Sequence, residues 1–125
     1  MSTRVFVVSE NNVSTYAPDI ILWYYVNAPQ SYESLYIGDI IIGKTGPEYN
    51  KTIENIRNNK SLEKFSKILK GLPRIPTYGK QLDELLEEII IIEKLGIMLE
   101  EDLNIIKTGI KIAKEKNLYL RFEGN

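Results

Sequence analysis

Short apolar runs alternate along this chain with longer stretches in which apolar residues return every three or four positions, the signature of strands interleaved with amphipathic helices. Arg4-Val-Phe-Val-Val-Ser9 is rich in β-branched residues and reads as a buried first strand, closed by the polar turn Glu10-Asn-Asn. Asp19 to Val26 is ambiguous. Its aromatic and β-branched residues favour a strand, whereas Pro18 and Asp19 suit the first turn of a helix. A helix would spread Trp23, Tyr24 and Tyr25 around its whole circumference, so the balance falls to the strand. Leu35 to Gly43 reads as a second strand centred on Ile40, Ile41 and Ile42. Thr45-Gly-Pro-Glu48 has the form of a capping box with proline in the first turn, and starts a helix.

Glu48 to Lys70 is helical, with a possible break at Asn58-Asn59. Leu62, Phe65, Leu69 and Leu72 recur on one face. Gly71 and Pro73 stop it, and Arg74-Ile75 is a short strand or plain loop. Gln81 to Leu95 forms a further helix with Leu82, Leu85, Leu86, Ile89 and Ile90 inward, ended by Gly96 with Ile97 as its hydrophobic contact. Acids at Glu100, Glu101 and Asp102 open a last helix, whose apolar stripe is Leu103, Ile106, Ile110 and Ala113. Asn117 caps it, and Leu118 to Phe122 is a final strand. Three adjacent isoleucines imply burial on both faces, as in a parallel sheet. The pattern therefore predicts an α/β fold: a small, mostly parallel sheet flanked by three or four helices, with Arg4–Val8, Leu35–Ile42 and Leu118–Phe122 as neighbouring strands. Residues 1–125 read as one domain, a length that folds without disulfide or metal staples.

Composition narrows the chemistry. With neither cysteine nor histidine there is no disulfide, thiolate nucleophile, zinc knuckle, imidazole base or Ser-His-Asp triad. A metal would need oxygen ligands, pointing to Mg²⁺, Mn²⁺ or Ca²⁺. A general base would be a carboxylate, a lysine or a tyrosine. No run approaches the ~20 apolar residues of a membrane span, and Met1 to Arg4 lacks the form of a signal peptide, so the expected location is cytoplasmic and away from the membrane.

A net charge of −1 conceals blocks of alternating sign. Residues 44–80 carry nine bases against three acids, and residues 81–102 carry eight acids against one lysine. The stripe Arg57, Lys60, Lys64, Lys67, Lys70 and Arg74 suits RNA phosphates. A solvated helix face is the plainer meaning, and no aromatic residues interleave it. The acidic run Asp83, Glu84, Glu87 and Glu88 solvates a helix, or meets a basic partner or the basic stripe of a second copy. Trp23, Tyr24 and Tyr25 are core, or at a surface would anchor an interface. Gly38-Asp-Ile-Ile-Ile-Gly43-Lys44-Thr45 matches the letter of a P-loop, but its isoleucines favour a strand over a flexible phosphate cradle. A core strand entering a capped helix explains the segment.

Taken in order, several pieces resemble the PIN-domain ribonucleases of toxin–antitoxin systems, over nearly the whole chain. Val7-Val-Ser-Glu10-Asn11-Asn12-Val13 is similar to the family's first strand ending in Asp-x-Asn-Val. Leu35 to Lys44 resembles its second strand, Leu95 to Asp102 the loop that delivers a third acid onto a helix, and Leu118 to Glu123 its last strand. The resemblance implies carboxylates around Mg²⁺ or Mn²⁺ activating water against an RNA phosphodiester, with Glu10, Asp102 (or Glu101) and Glu123 as catalytic and metal-binding acids. Arg57, Lys60, Lys64 and Lys67 would then contact the nucleic acid. It also implies a first helix over Asp19–Val26. The family's second acid falls on Lys44, which cannot ligate a cation while protonated. Asp39 and Glu48 stand near but off the matching position, and the last helix is about one turn long for the family, which admits a catalytically decayed member. The competing reading is a non-enzymatic protein that binds a protein partner, or itself as a homodimer, through charged helix faces.

Overall fold

A computed structural model describes residues 3–8, 13–15, 23–25, 34–43, 45–71, 75–77, 82–116 and 118–124. Its elements are β1 (Thr3–Val8), β2 (Val13–Thr15), β3 (Trp23–Tyr25), β4 (Ser34–Ile40), α1 (Gly46–Arg57), a 3-10 turn (Lys60–Leu62), α2 (Glu63–Gly71), β5 (Ile75–Thr77), α3 (Leu82–Leu95), α4 (Glu100–Lys116) and β6 (Tyr119–Gly124). The main sheet runs β4-β1-β6-β5, and every pairing in it is antiparallel. A separate ladder joins β2 to β3, and β3 lies against β5.

The three expected strands are neighbours, but the expected parallel sense is wrong. A parallel neighbour needs a crossover, usually helical, between the two strands. Here β1 is followed by the β2–β3 ladder before β4, with no helix among the described residues between them. The isoleucine run misled because only Ile40 belongs to the strand. Ile41 is exposed at 42 %, and Ile42 turns back into the core at φ 70°. β1 alternates instead: Thr3, Val5 and Val7 are buried against the helices, while Arg4 and Phe6 lie half-buried on the other face. Such alternation belongs to antiparallel sheets.

Trp23 to Tyr25 is a strand, as its propensity predicts, and not the helix that the ribonuclease resemblance implies. The rest of 19–26 lies outside the described residues.

The core sits on one side of the sheet. α4 packs across β4, β1 and β6, α3 packs on α4, and α2 on α3. Val5, Val7, Ile40, Leu120 and Phe122 of the sheet meet Leu103, Ile106, Ile110 and Ala113 of α4, the stripe expected from periodicity. Gly109 sets the spacing, since a Cβ there would stand 2.7 Å from Leu120 Cδ1. The cap at Thr45 forms as predicted, its hydroxyl accepting from Glu48 N–H at 3.2 Å. The break at Asn58-Asn59 is real, with Asn59 capping the 3-10 turn through Ser61 N–H. Gly96 ends α3 at φ 65°, with Ile97 N–H reaching back to the Ile92 carbonyl. No described helix is long and apolar enough to cross a membrane.

Candidate functional site

Asp102 lies in the first turn of α4 with only 2 % of its surface exposed. One carboxylate oxygen accepts from Ile41 N–H at 3.1 Å and the other from Ile42 N–H at 2.8 Å. These amides belong to the turn that leaves β4. Ile42 is a β-branched residue in the left-handed region, a conformation that persists only where its surroundings impose it. Asp102 supplies that restraint and ties the turn to α4. Gly43 follows because nothing larger fits: a Cβ there would stand 2.4 Å from the backbone nitrogen of Tyr49 in α1. The segment that spells a P-loop is thus a strand and a clamped turn, up to Lys44, which lies outside the described residues.

Of the other two expected acids, Glu10 lies outside what the structure describes, as does the side chain of Glu123. Glu123 occupies the register position opposite Arg4, near the end of the sheet where β4 finishes. The end of β1 that leads to Glu10, Val8, pairs with Tyr119 and Ser34 at the opposite end of the sheet. Arg4 and Val8 are separated by roughly 13 Å of strand. A parallel sheet would have gathered these carboxyl ends; the antiparallel one sets the ends of β1 and β6 apart. Among the described residues, no three acidic side chains gather as a cation site.

The basic and acidic blocks face each other inside the molecule. Lys64 pairs with Glu84 of α3 at 2.7 Å, and that hydrogen bond is the main reason its ammonium is held above its ordinary pKa. Lys67 pairs with Glu63 one turn back, at 3.2 Å. Arg57 and Lys60 stand exposed at the end of α1 and in the 3-10 turn. From the other side of α3, Asp83 pairs with Lys114 and Glu93 with Lys107 of α4. α3 therefore presents acids to a lysine of α2 on one side and to lysines of α4 on the other. Glu88 departs from the solvated run expected for it. It is buried, and its carboxylate accepts from Lys64 N–H at 3.0 Å and Phe65 N–H at 2.8 Å, satisfying the open N-terminus of α2. Burial pushes its pKa up, against the pull of the two amides and of Lys64.

The side of the sheet turned away from the helices carries features the sequence pattern did not single out. Arg121 is fully buried there, with its guanidinium carbon 4.4 Å from the centre of the Phe6 ring. Phe6 in turn meets Tyr36 at 5.6 Å between ring centres. Tyr36 hydrogen-bonds Asp39 on the same strand, which raises its phenol above the ordinary value. A cation inside the apolar string Leu120-Arg121-Phe122 was the available signal for this face.

β4 itself is the edge of the main sheet, and one of its two long sides has no partner strand among the described residues. Leu35 is 47 % exposed and Tyr36 53 %, with Ile41 just beyond the strand at 42 %. Asp39 is its one charged residue. An open groove of about 440 Å³ between α1 and α2, lined by Tyr49, Ile53, Glu54, Arg57 and Leu69, offers one base and one acid and no converging set of reactive groups.

No family of known proteins, no curated protein and no solved structure matches the chain.

Proposed function

We infer that this protein is a non-enzymatic interaction domain whose contact surface is the side of β4 that has no partner strand among the described residues. The observation that carries the reading is the character of that edge. Edge strands of monomeric proteins are normally short, covered, bulged, or guarded by charged residues or proline, because their open N–H and C=O groups recruit other strands. β4 is seven residues long, contains neither lysine nor proline, and exposes Leu35 and Tyr36, with Ile41 just beyond it. β5, at the other edge of the same sheet, is three residues long and carries Pro76. β5 is guarded by its length and its proline, whereas β4 is blunted by the bulge at Ile37, where Val5 pairs with Gly38 and Phe6 with Tyr36, and by Asp39. Its length and exposed apolar residues are what favour strand addition there.

The charged helix faces are less suited to the task, since Lys64, Lys67, Asp83, Glu84 and Glu93 already hold partners within the fold. A metal-dependent ribonuclease gains little support, because Asp102 commits both oxygens to backbone amides.

The reading is tested in the full chain with a photo-reactive residue at position 36 and, as control, at the exposed position 101 of α4. Discrete adducts are expected from position 36 alone, and the purified adduct partner should bind the native chain and lose binding to Leu35→Lys. Absence of adducts at position 36 would overturn it, as would Mn²⁺-dependent RNA cleavage that Asp102→Asn abolishes.

A further inference from the structure

We propose that Asp102 is a guard on β4: its carboxylate ends the strand at Ile40 and keeps Ile41 and Ile42 from lengthening an edge that would then stack between misassembled chains. The proposal concerns what this edge must avoid, and it stands whether or not a partner binds there.

The hazard is written in the sequence. From Leu35 to Ile42 the chain holds one glycine, one charge and no proline, and it closes on three adjacent isoleucines. Runs of about six or seven residues of this composition stack between chains when a sheet edge exposes them. The side of β4 away from β1 has no partner strand among the described residues. The bulge at Ile37 and the charge of Asp39 interrupt the run, but both precede the isoleucines. β4 nevertheless stops at Ile40, although the two β-branched residues that follow favour the strand conformation.

What ends the strand lies 60 residues beyond Ile42. Asp102 accepts from Ile41 N–H at 3.1 Å and from Ile42 N–H at 2.8 Å. Successive N–H groups of a strand point to opposite sides, so one carboxylate can hold both only where the backbone has left the strand. The φ of 70° at Ile42 is that departure. It is an outlier for a β-branched residue and persists only under restraint. Hydrogen bonds from amides to a carboxylate are of the stronger, charge-assisted kind, and this carboxylate is all but withdrawn from water.

Side-chain burial does not choose between the two conformations. Ile40 faces the helices, and in a continued strand Ile42 would face them as well. Ile41, already exposed, would join Asp39 on the opposite face of a longer edge. The choice falls to the backbone. The other restraint in reach is Gly43, packed where a Cβ would stand 2.4 Å from the backbone nitrogen of Tyr49.

The experiment compares Asp102→Ala with Glu88→Ala, which removes the other buried carboxylate that holds two amides and leaves β4 untouched. Cα and Cβ chemical shifts report the backbone of Ile41 and Ile42, while thioflavin fluorescence and light scattering report assembly. The native chain should show left-handed shifts at Ile42 and no assembly. Asp102→Ala should move both isoleucines to strand values and should assemble. Glu88→Ala, compared at a temperature that gives equal stability, should keep the native shifts and stay dispersed. Adding Ile41→Lys to Asp102→Ala should abolish assembly and leave the strand shifts in place. If Asp102→Ala fails to fold, Asp102→Asn, which keeps one acceptor, is read in the same way. Left-handed shifts at Ile42 in the Asp102 variant would overturn the proposal and assign the turn to the packing at Gly43. Random-coil shifts there, assembly no faster than that of Glu88→Ala, or assembly that Ile41→Lys leaves unchanged would each overturn it too.

Discussion

Two buried carboxylates, Asp102 and Glu88, do the same work in different places: each uses both oxygens to hold a pair of backbone amides from a distant part of the chain. Removing such an acceptor leaves a buried N–H without a partner, at a cost of about 1–3 kcal/mol. Asp102→Asn keeps one acceptor and turns an NH₂ toward the other amide, so urea unfolding should show a loss within that range, equal with and without Mn²⁺. Glu88 adds a pH dependence whose sign follows from its raised pKa. The folded carboxyl takes up its proton at a higher pH than the unfolded one. Stability linked to this group is therefore fully present below the ordinary value of 4.5 and is lost as pH rises through the raised folded value. Glu88→Gln has no proton to exchange. The native chain should gain stability relative to Glu88→Gln as pH falls from 7 toward 4.5, measured by urea midpoints at each pH. A parallel pair of curves would show that Glu88 carries no such linkage.

At the scale of elements, the turn between β4 and α1 holds the sharpest backbone demands. Gly43→Ala forces a Cβ onto the backbone of Tyr49 and must shift the start of α1, whereas a Cβ at Gly46 meets nothing within 4 Å. Gly43→Ala should lower the melting temperature by several degrees, and Gly46→Ala should leave it unchanged or raise it through the gain of about 0.4–1 kcal/mol from a stiffer unfolded chain. Equal effects would contradict the packing at Gly43. Elements of this kind were largely legible: the Thr45 cap, the Asn58-Asn59 break, the Gly96 stop and the α4 stripe all depend on residues within a turn or two of each other. The phase of α3 was not. In the run Ile89-Ile-Ile-Ile92 every position is apolar, so periodicity could not show that Ile92 is buried and Ile90 partly exposed. The same uniformity at Ile40-Ile-Ile42 concealed a strand end and suggested a parallel sheet. The bond between Asp102 and the β4 turn spans 60 residues and that from Glu88 to Phe65 spans 23, beyond the reach of local pattern. Asp102 was therefore legible as a special acid, and its role as a clamp was not.

Across the whole molecule, α3 sets acids against Lys64 of α2 and against Lys107 and Lys114 of α4, and among the described residues β4 exposes Leu35 and Tyr36 along a side with no partner strand. Association should accordingly depend little on ionic strength, because exposed ion pairs contribute at most about 1 kcal/mol each and salt screens them. The most direct measurement is amide hydrogen exchange of residues 35–40 with and without the partner purified through the position-36 adduct. If the β4 edge is the contact surface, amides that face it slow when that partner is added, while those already bonded to β1, and those of β5, are unchanged. Exchange in β4 that is the same with and without the partner would contradict the reading.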